Sequence, residues 1–139
     1  MAAREVIERL RDAQNRHDLE AFLACFDPDY RSEQPAHPAR AFGGREQVRE
    51  NWSKIFSSVP DFRADLLASA EDGDAAWAEW RWTGRRADGT PLHMRGVTIL
   101  GVRGDRIVSG RLYMEPVEEA GPGVGGAVRR MTHGSGGPS

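Results

Sequence analysis

The chain has 139 residues and a formal net charge of −2, from 19 Lys plus Arg against 21 Asp plus Glu. That length is one domain's worth, enough to bury roughly two-thirds of its surface around one core. No block of like charge stands out, which excludes the usual footprint of a nucleic-acid partner. The single cysteine excludes an internal disulfide framework.

The first segment, "REVIERLRDAQNRHD", sets Val6, Leu10 and Ala13 on one stripe with Ile7 beside it and charge opposite, which predicts an amphipathic helix. Its charged start, with no long apolar run behind it, fits neither a signal peptide nor a membrane span, so a cytoplasmic protein is expected. Asp18 reads as the N-cap of a short second helix with Glu20 in its first turn and Leu19, Phe22, Leu23 and Phe26 facing inward. Cys25, among Leu23, Ala24 and Phe26, reads as a buried, inert thiol. Pro28 stops that helix. The stretch "YRSEQPAHPARAFGG" carries two prolines and a glycine pair. It predicts a short edge strand, then a loop, and here His37 reads as a loop residue. A third helix follows, "REQVRENWSKIFSSVP", with Val48, Trp52, Ile55, Phe56 and Val59 on its apolar face.

After Pro60 the period changes from helical to alternating. "FRADLLASAE", "AAWAEWRWTGRR", "PLHMRGVTILGV" and "RIVSGRLYMEPV" read as four strands joined by the turn signals "DGD", "ADGT" and "RGD", an antiparallel meander. From about Glu118 the chain turns Gly-rich and weakly apolar. The expected organisation is therefore one domain over 1–118 and a disordered tail over 119–139. Helices first and antiparallel strands after define an α+β fold.

The second long strand raises the functional question. Its even positions are Ala76, Ala78, Trp80 and Trp82, and its odd positions Trp77, Glu79, Arg81 and Thr83. A strand sends these two sets to opposite faces. The next strand divides the same way, with His93, Arg95, Val97 and Ile99 on one face and Leu92, Met94, Thr98 and Leu100 on the other. The last strand groups Arg111, Tyr113 and Glu115 against Leu112 and Met114. Alternation alone fits either an exposed charged face or a half-polar pocket.

The order "FGGREQVRENWSKIFSSVPDF" then "RGVTILGVRGDRIVSGRLYMEPV", with the F-x-G-x-x-x-V helix start at Phe42 to Val48, "VPDF" at 59–62 and the "GDRI" turn, resembles the SnoaL-like proteins of the NTF2-like superfamily. The resemblance implies a cone: a curved antiparallel sheet wrapped around helices and enclosing a pocket. It implies a cofactor-free cyclase, isomerase or hydrolase acting on a hydrophobic carbonyl (polyketide-like) or epoxide substrate. The rival is a domain that only binds a small ligand, since one fold hosts many functions. Carried over by position, a steroid-isomerase site would fall on Leu10, Gln34 and Val97, none of which can exchange a proton. A limonene-epoxide-hydrolase site would fall on Glu79 and Arg81 with the charges reversed, on Leu112, and on Ser32 and Gln34. The resemblance turns the odd face of the second strand into the cavity. It makes Glu79, Arg81 and His93 the catalytic candidates and Gln34, Trp52, Arg95, Tyr113 and Glu115 the substrate-binding ones, with no metal and no cofactor. Ala78, Trp80 and Trp82 then form an outer apolar face, through which a homodimer is expected.

Overall fold

The computed structural model describes residues 2–133. Helix α1 (Ala3–Arg16) buries Val6, Ile7, Leu10 and Ala13 as its spacing predicts. It ends at His17, whose backbone is left-handed (φ 54°). The His17 ring stacks on Phe56 at 4.9 Å, and its Nε2 lies 2.8 Å from the Phe62 carbonyl oxygen, which ties the helix end to both its neighbours. Asp18 caps α2 (Leu19–Leu23) by accepting from the Ala21 N–H.

The sheet has six strands in the order β2-β1-β6-β5-β4-β3, where β1 is Phe26–Glu33, β2 Phe42–Gly43, β3 Arg63–Asp72, β4 Ala75–Arg85, β5 Pro91–Arg103 and β6 Arg106–Pro116. The expected meander is β3 to β6, antiparallel throughout. Two boundaries differ from expectation. Phe26 is the first residue of β1 rather than part of the second helix, and β1 is not an edge: it lies between β2 and β6 and pairs with β6 in parallel. Pro28 is accommodated where that pairing breaks register, between Phe26 and Arg31, so no ladder bond is lost to it. The free edge is β3, and Asn15 covers part of it. Its side-chain amide donates to the Ala64 carbonyl at 2.9 Å and accepts from the Ala64 N–H at 2.7 Å, which satisfies backbone groups an edge leaves open.

Helix α3 (Arg45–Ser58) starts after Gly44, whose φ of 100° suits glycine. With α1 and α2 it fills the concave side of the sheet. There Phe22, Phe26, Trp52, Phe56, Phe62 and Trp82 form a continuous set of aromatic contacts. The sheet curves tightly enough that a Cβ on Gly96 of β5 would lie 2.0 Å from the Tyr113 carbonyl oxygen on β6.

The tail departs from the expected disorder in one segment. Val124–Thr132 forms helix α4, none of whose residues is buried. It is short and Gly-containing, features that hid it from a reading by composition. Residues 134–139 of the expected tail lie outside the described residues. No helix among the described residues is long and apolar enough to cross a membrane.

Candidate functional site

Strand β4 decides where a site can be. Its even positions point inward: Ala76 and Ala78 are fully buried, and Trp80 is 1% exposed with its indole N–H donating to the Thr98 hydroxyl at 2.9 Å. Its odd positions point outward, with Trp77 44% exposed. This corrects the expectation for Glu79 and Arg81. They stand on the convex outer face, half open to solvent, while Ala78, Trp80 and Trp82 fill the interior. The physical reason is volume. Two indoles and two alanines fit against α1 and α3, and turning the strand over would bury a carboxylate and a guanidinium in their place.

Glu79 accepts from Arg95 at 3.2 Å and Arg81 donates to Asp65 at 3.3 Å, so the two expected partners are not paired with each other. His93 and Arg95, register neighbours of Thr83 and Arg81, share that outer face, as does Tyr113 opposite Val97. His93 Nδ1 lies 3.0 Å from Glu119, beyond the end of β6. Glu115 lies 2.8 Å from His37 Nε2 and holds the proline loop to the end of β6. Five of the six expected charged or phenolic site residues thus sit on the outer face of the sheet, and Glu115 lies at its rim. The two remaining candidates, Gln34 and Trp52, do line the interior cavity.

That cavity, of about 280 Å³, lies between the three helices and the concave sheet. Its apolar wall includes Leu10, Phe22, Phe26, Val48, Leu100 and Leu112, and its polar atoms come from Gln14, Tyr30, Ser32, Gln34, Asn51 and Trp82. The family positions carried over to Leu10, Ser32, Gln34 and Leu112 fall on this wall, and the one carried to Val97 falls on the outer face. Among the described residues no Asp, Glu, His, Lys or Arg lines it.

Each polar group has an identifiable anchor. Tyr30 is buried where Gly110 leaves room, since a Cβ there would come within 2.4 Å of the phenol oxygen. Burial pushes its pKa above the ordinary 10.0, against a smaller opposing effect of its hydrogen bond with Ser32, so it stays a neutral donor. The Gln34 carbonyl accepts from Arg40 at 2.9 Å, and the Asn51 carbonyl accepts from Gln47 at 2.8 Å. Two groups are different. The Gln14 amide oxygen and the Trp82 indole N–H are buried and have no hydrogen-bond partner among the described residues, although Gln14 is only 2% exposed and Trp82 9%. Leaving such groups unpaired costs about 1–3 kcal/mol each.

Sequence reasoning did not single out Gln14, Tyr30 and Trp82 as cavity residues, and it reached Ser32 only as a carried-over family position. Gln14 was the signal available: a polar residue one step beyond Ala13, on the edge of the apolar stripe of α1. Cys25 is buried as expected, with its pKa pushed up mainly by burial. Among the described residues no three of His, Cys, Asp and Glu converge as metal ligands do.

A curved sheet closed over helices around an apolar cavity is the NTF2-like fold. Residues 7–110 match the SnoaL-like domain, and the chain belongs to that family. Among solved structures it is similar to IdmH, a proposed polyketide cyclase from Streptomyces antibioticus (22% identity, TM-score 0.72, covering 83% of this chain and 93% of that one). It is also similar to a proposed SnoaL-like polyketide cyclase from Jannaschia sp. CCS1 (19% identity, TM-score 0.70, 81% and 85% covered). A third is a protein of ketosteroid isomerase-like fold from Catenulispora acidiphila in complex with trimethylamine (21% identity, TM-score 0.69, 78% and 84% covered). These likenesses establish the fold. A search of the curated proteins finds no match.

Proposed function

We propose that this SnoaL-like domain binds a small, neutral, largely apolar molecule that carries both a hydrogen-bond donor and an acceptor. One observation carries the reading: a cavity with no charged side chain among the described residues that line it, bordered by Gln14 and Trp82, each of which has a buried polar atom without a partner. A charged ligand would meet no counter-charge on the wall and would lose its hydration. A hydroxyl matches Gln14, and a carbonyl matches Trp82 or the phenol of Tyr30.

The family and the buried phenol favour a second reading, catalysis on a carbonyl compound. Tyr30, held neutral, can polarise a carbonyl as an oxyanion-hole donor does. The wall offers no carboxylate or imidazole to take a proton from carbon, so base-driven cyclisation or isomerisation finds its donor here and not its base. Binding is therefore the better-supported function. We also read the convex face, with Trp77 and Tyr113 exposed around Val97 and Ile99, as a surface for self-association, in place of the Ala78–Trp80–Trp82 face expected earlier. A cytoplasmic location remains part of the proposal, consistent with a free, buried thiol.

The test uses octanol and octanone with octane as the apolar control, followed by quenching of Trp52 and Trp82 fluorescence. The wild type is expected to hold the two oxygen-bearing probes more tightly than octane. Gln14→Leu should remove the preference for octanol and Trp82→Phe that for octanone, each by about three- to tenfold. Equal affinities for all three probes in the wild type would defeat the proposal.

A further inference from the structure

A second cavity abuts the first. It lies between the last turns of α3 and the β4–β5 hairpin, with a volume of about 520 Å³, and its wall is mainly apolar (Val59, Phe62, Leu92 and Met94), with Lys54, Arg86 and Asp88 also lining it. Ile55 and Trp82 line both cavities and so form the partition between them. Three physical features bear on that boundary. The inner chamber, at about 280 Å³, falls just short of the roughly 300–1,000 Å³ of small-molecule sites, and the two chambers together fall well inside that range. Trp82 is held by ring contacts to Trp52 at 5.5 Å and Phe62 at 5.9 Å, so its ring stands at a fixed place between the two cavities. Ile55, half-buried on α3, has its χ1 fixed by the helix, but its terminal methyl can turn to another χ2 well.

We propose that the ligand is elongated and spans both chambers. Its hydrogen-bonding group occupies the inner chamber near Gln14 and Trp82, and an unbranched apolar chain runs past Ile55 into the outer groove. The inference rests on the reading of the inner chamber as a neutral binding site and adds the ligand's shape to it. It accounts for an outer groove whose lining is mainly apolar and comes from two separate elements. The ligand class is that of long-chain alcohols, ketones or acyl groups without a charge at the inner end.

The experiment measures the affinity of straight-chain primary alcohols from butanol to decanol by tryptophan fluorescence. In the wild type each added methylene is expected to tighten binding by about fourfold up to decanol. Ser58→Trp and Ala87→Trp each place a large ring in the outer groove from an exposed position, where folding tolerates it. Both should leave butanol unchanged and stop the rise at the chain length the inner chamber holds. If wild-type affinity levels off at a short chain and neither substitution alters the series, the spanning ligand is overturned while the inner site stands. If no alcohol binds the wild type at all, the inner-site reading itself is overturned.

Discussion

The two faces of β4 have almost the same number of large side chains and opposite fates. Inward, Trp80 and Trp82 lie under the helices; outward, Trp77, Glu79 and Arg81 lie against solvent and cross-strand partners. The charged side chains that look most like chemistry are the ones placed where water screens them. The residues that look like plain core include an indole and, across the cavity on α1, an amide left without partners. The proposed site is marked by residues with an unpaired polar atom beside an apolar wall, and not by a conspicuous ion pair.

The largest break in that comparison is truncation on each side of the strand. Trp80→Ala removes a fully buried indole and its bond to Thr98 and should cost about 3–5 kcal/mol. Trp77→Ala, three residues away and exposed, should cost the monomer under about 1 kcal/mol while weakening any self-association. Denaturant unfolding gives the first pair of values and sedimentation the second. Equal losses at the two positions would mean that the strand's faces are wrongly assigned.

A smaller effect of opposite sign sharpens the inner face. Gln14→Leu exchanges an unpaired amide for an apolar side chain of similar size and should raise stability by about 1–2 kcal/mol. A core polar group held by an unseen partner would instead destabilise on removal, so the direction of the change is the test. Stability gained together with octanol affinity lost is the signature of a residue kept for binding.

The fold was legible because it depends on pattern. The switch from helical to alternating period after Pro60, the turn signals between strands and the apolar stripes of α1 and α3 each report a local cause. The site was not, because it depends on which face of a sheet is covered, and the side chains on both faces of β4 include a tryptophan. Helix content could not settle that. Trp80 against Gly96 could have done so in part, since a large ring opposite a glycine marks a face where space is limited. Gln34 and Trp52 were found because a loop next to the helices and an aromatic on an apolar stripe border the same interior. Tyr30 was missed because it opened what was read as a short edge strand, whereas it lies mid-strand inside the sheet with its ring turned inward.

The buried phenol gives a pH-dependent measure of the same interior. Its folded-state pKa is raised above 10.0, so the folded protein keeps a proton that the unfolded chain releases. Stability is unaffected below that value and falls as pH rises through the window above it. Tyr30→Phe should lack that part of the alkaline fall, and the exposed Tyr113→Phe should retain it. Both variants are compared with wild type by thermal unfolding across the alkaline range. A Tyr113→Phe profile that matches Tyr30→Phe would place the perturbed phenol on the wrong face.

The smallest effect belongs to the pair that first drew attention. Glu79 and Arg95 face each other at 3.2 Å with both side chains nearly half exposed, 46% and 45%. Such a pair loses most of its attraction to solvent screening, and a double-mutant cycle with Glu79→Gln and Arg95→Met should return a coupling of about 0.2–1 kcal/mol, shrinking as salt is added. Octanol and octanone affinities should not move in either variant, because neither side chain lines the cavity. A loss of probe binding in Glu79→Gln, with stability intact, would return the carboxylate to the site. A coupling of several kcal/mol that resisted salt would mean that another surface covers this face in solution, and the convex side would then become the first place to look for a partner.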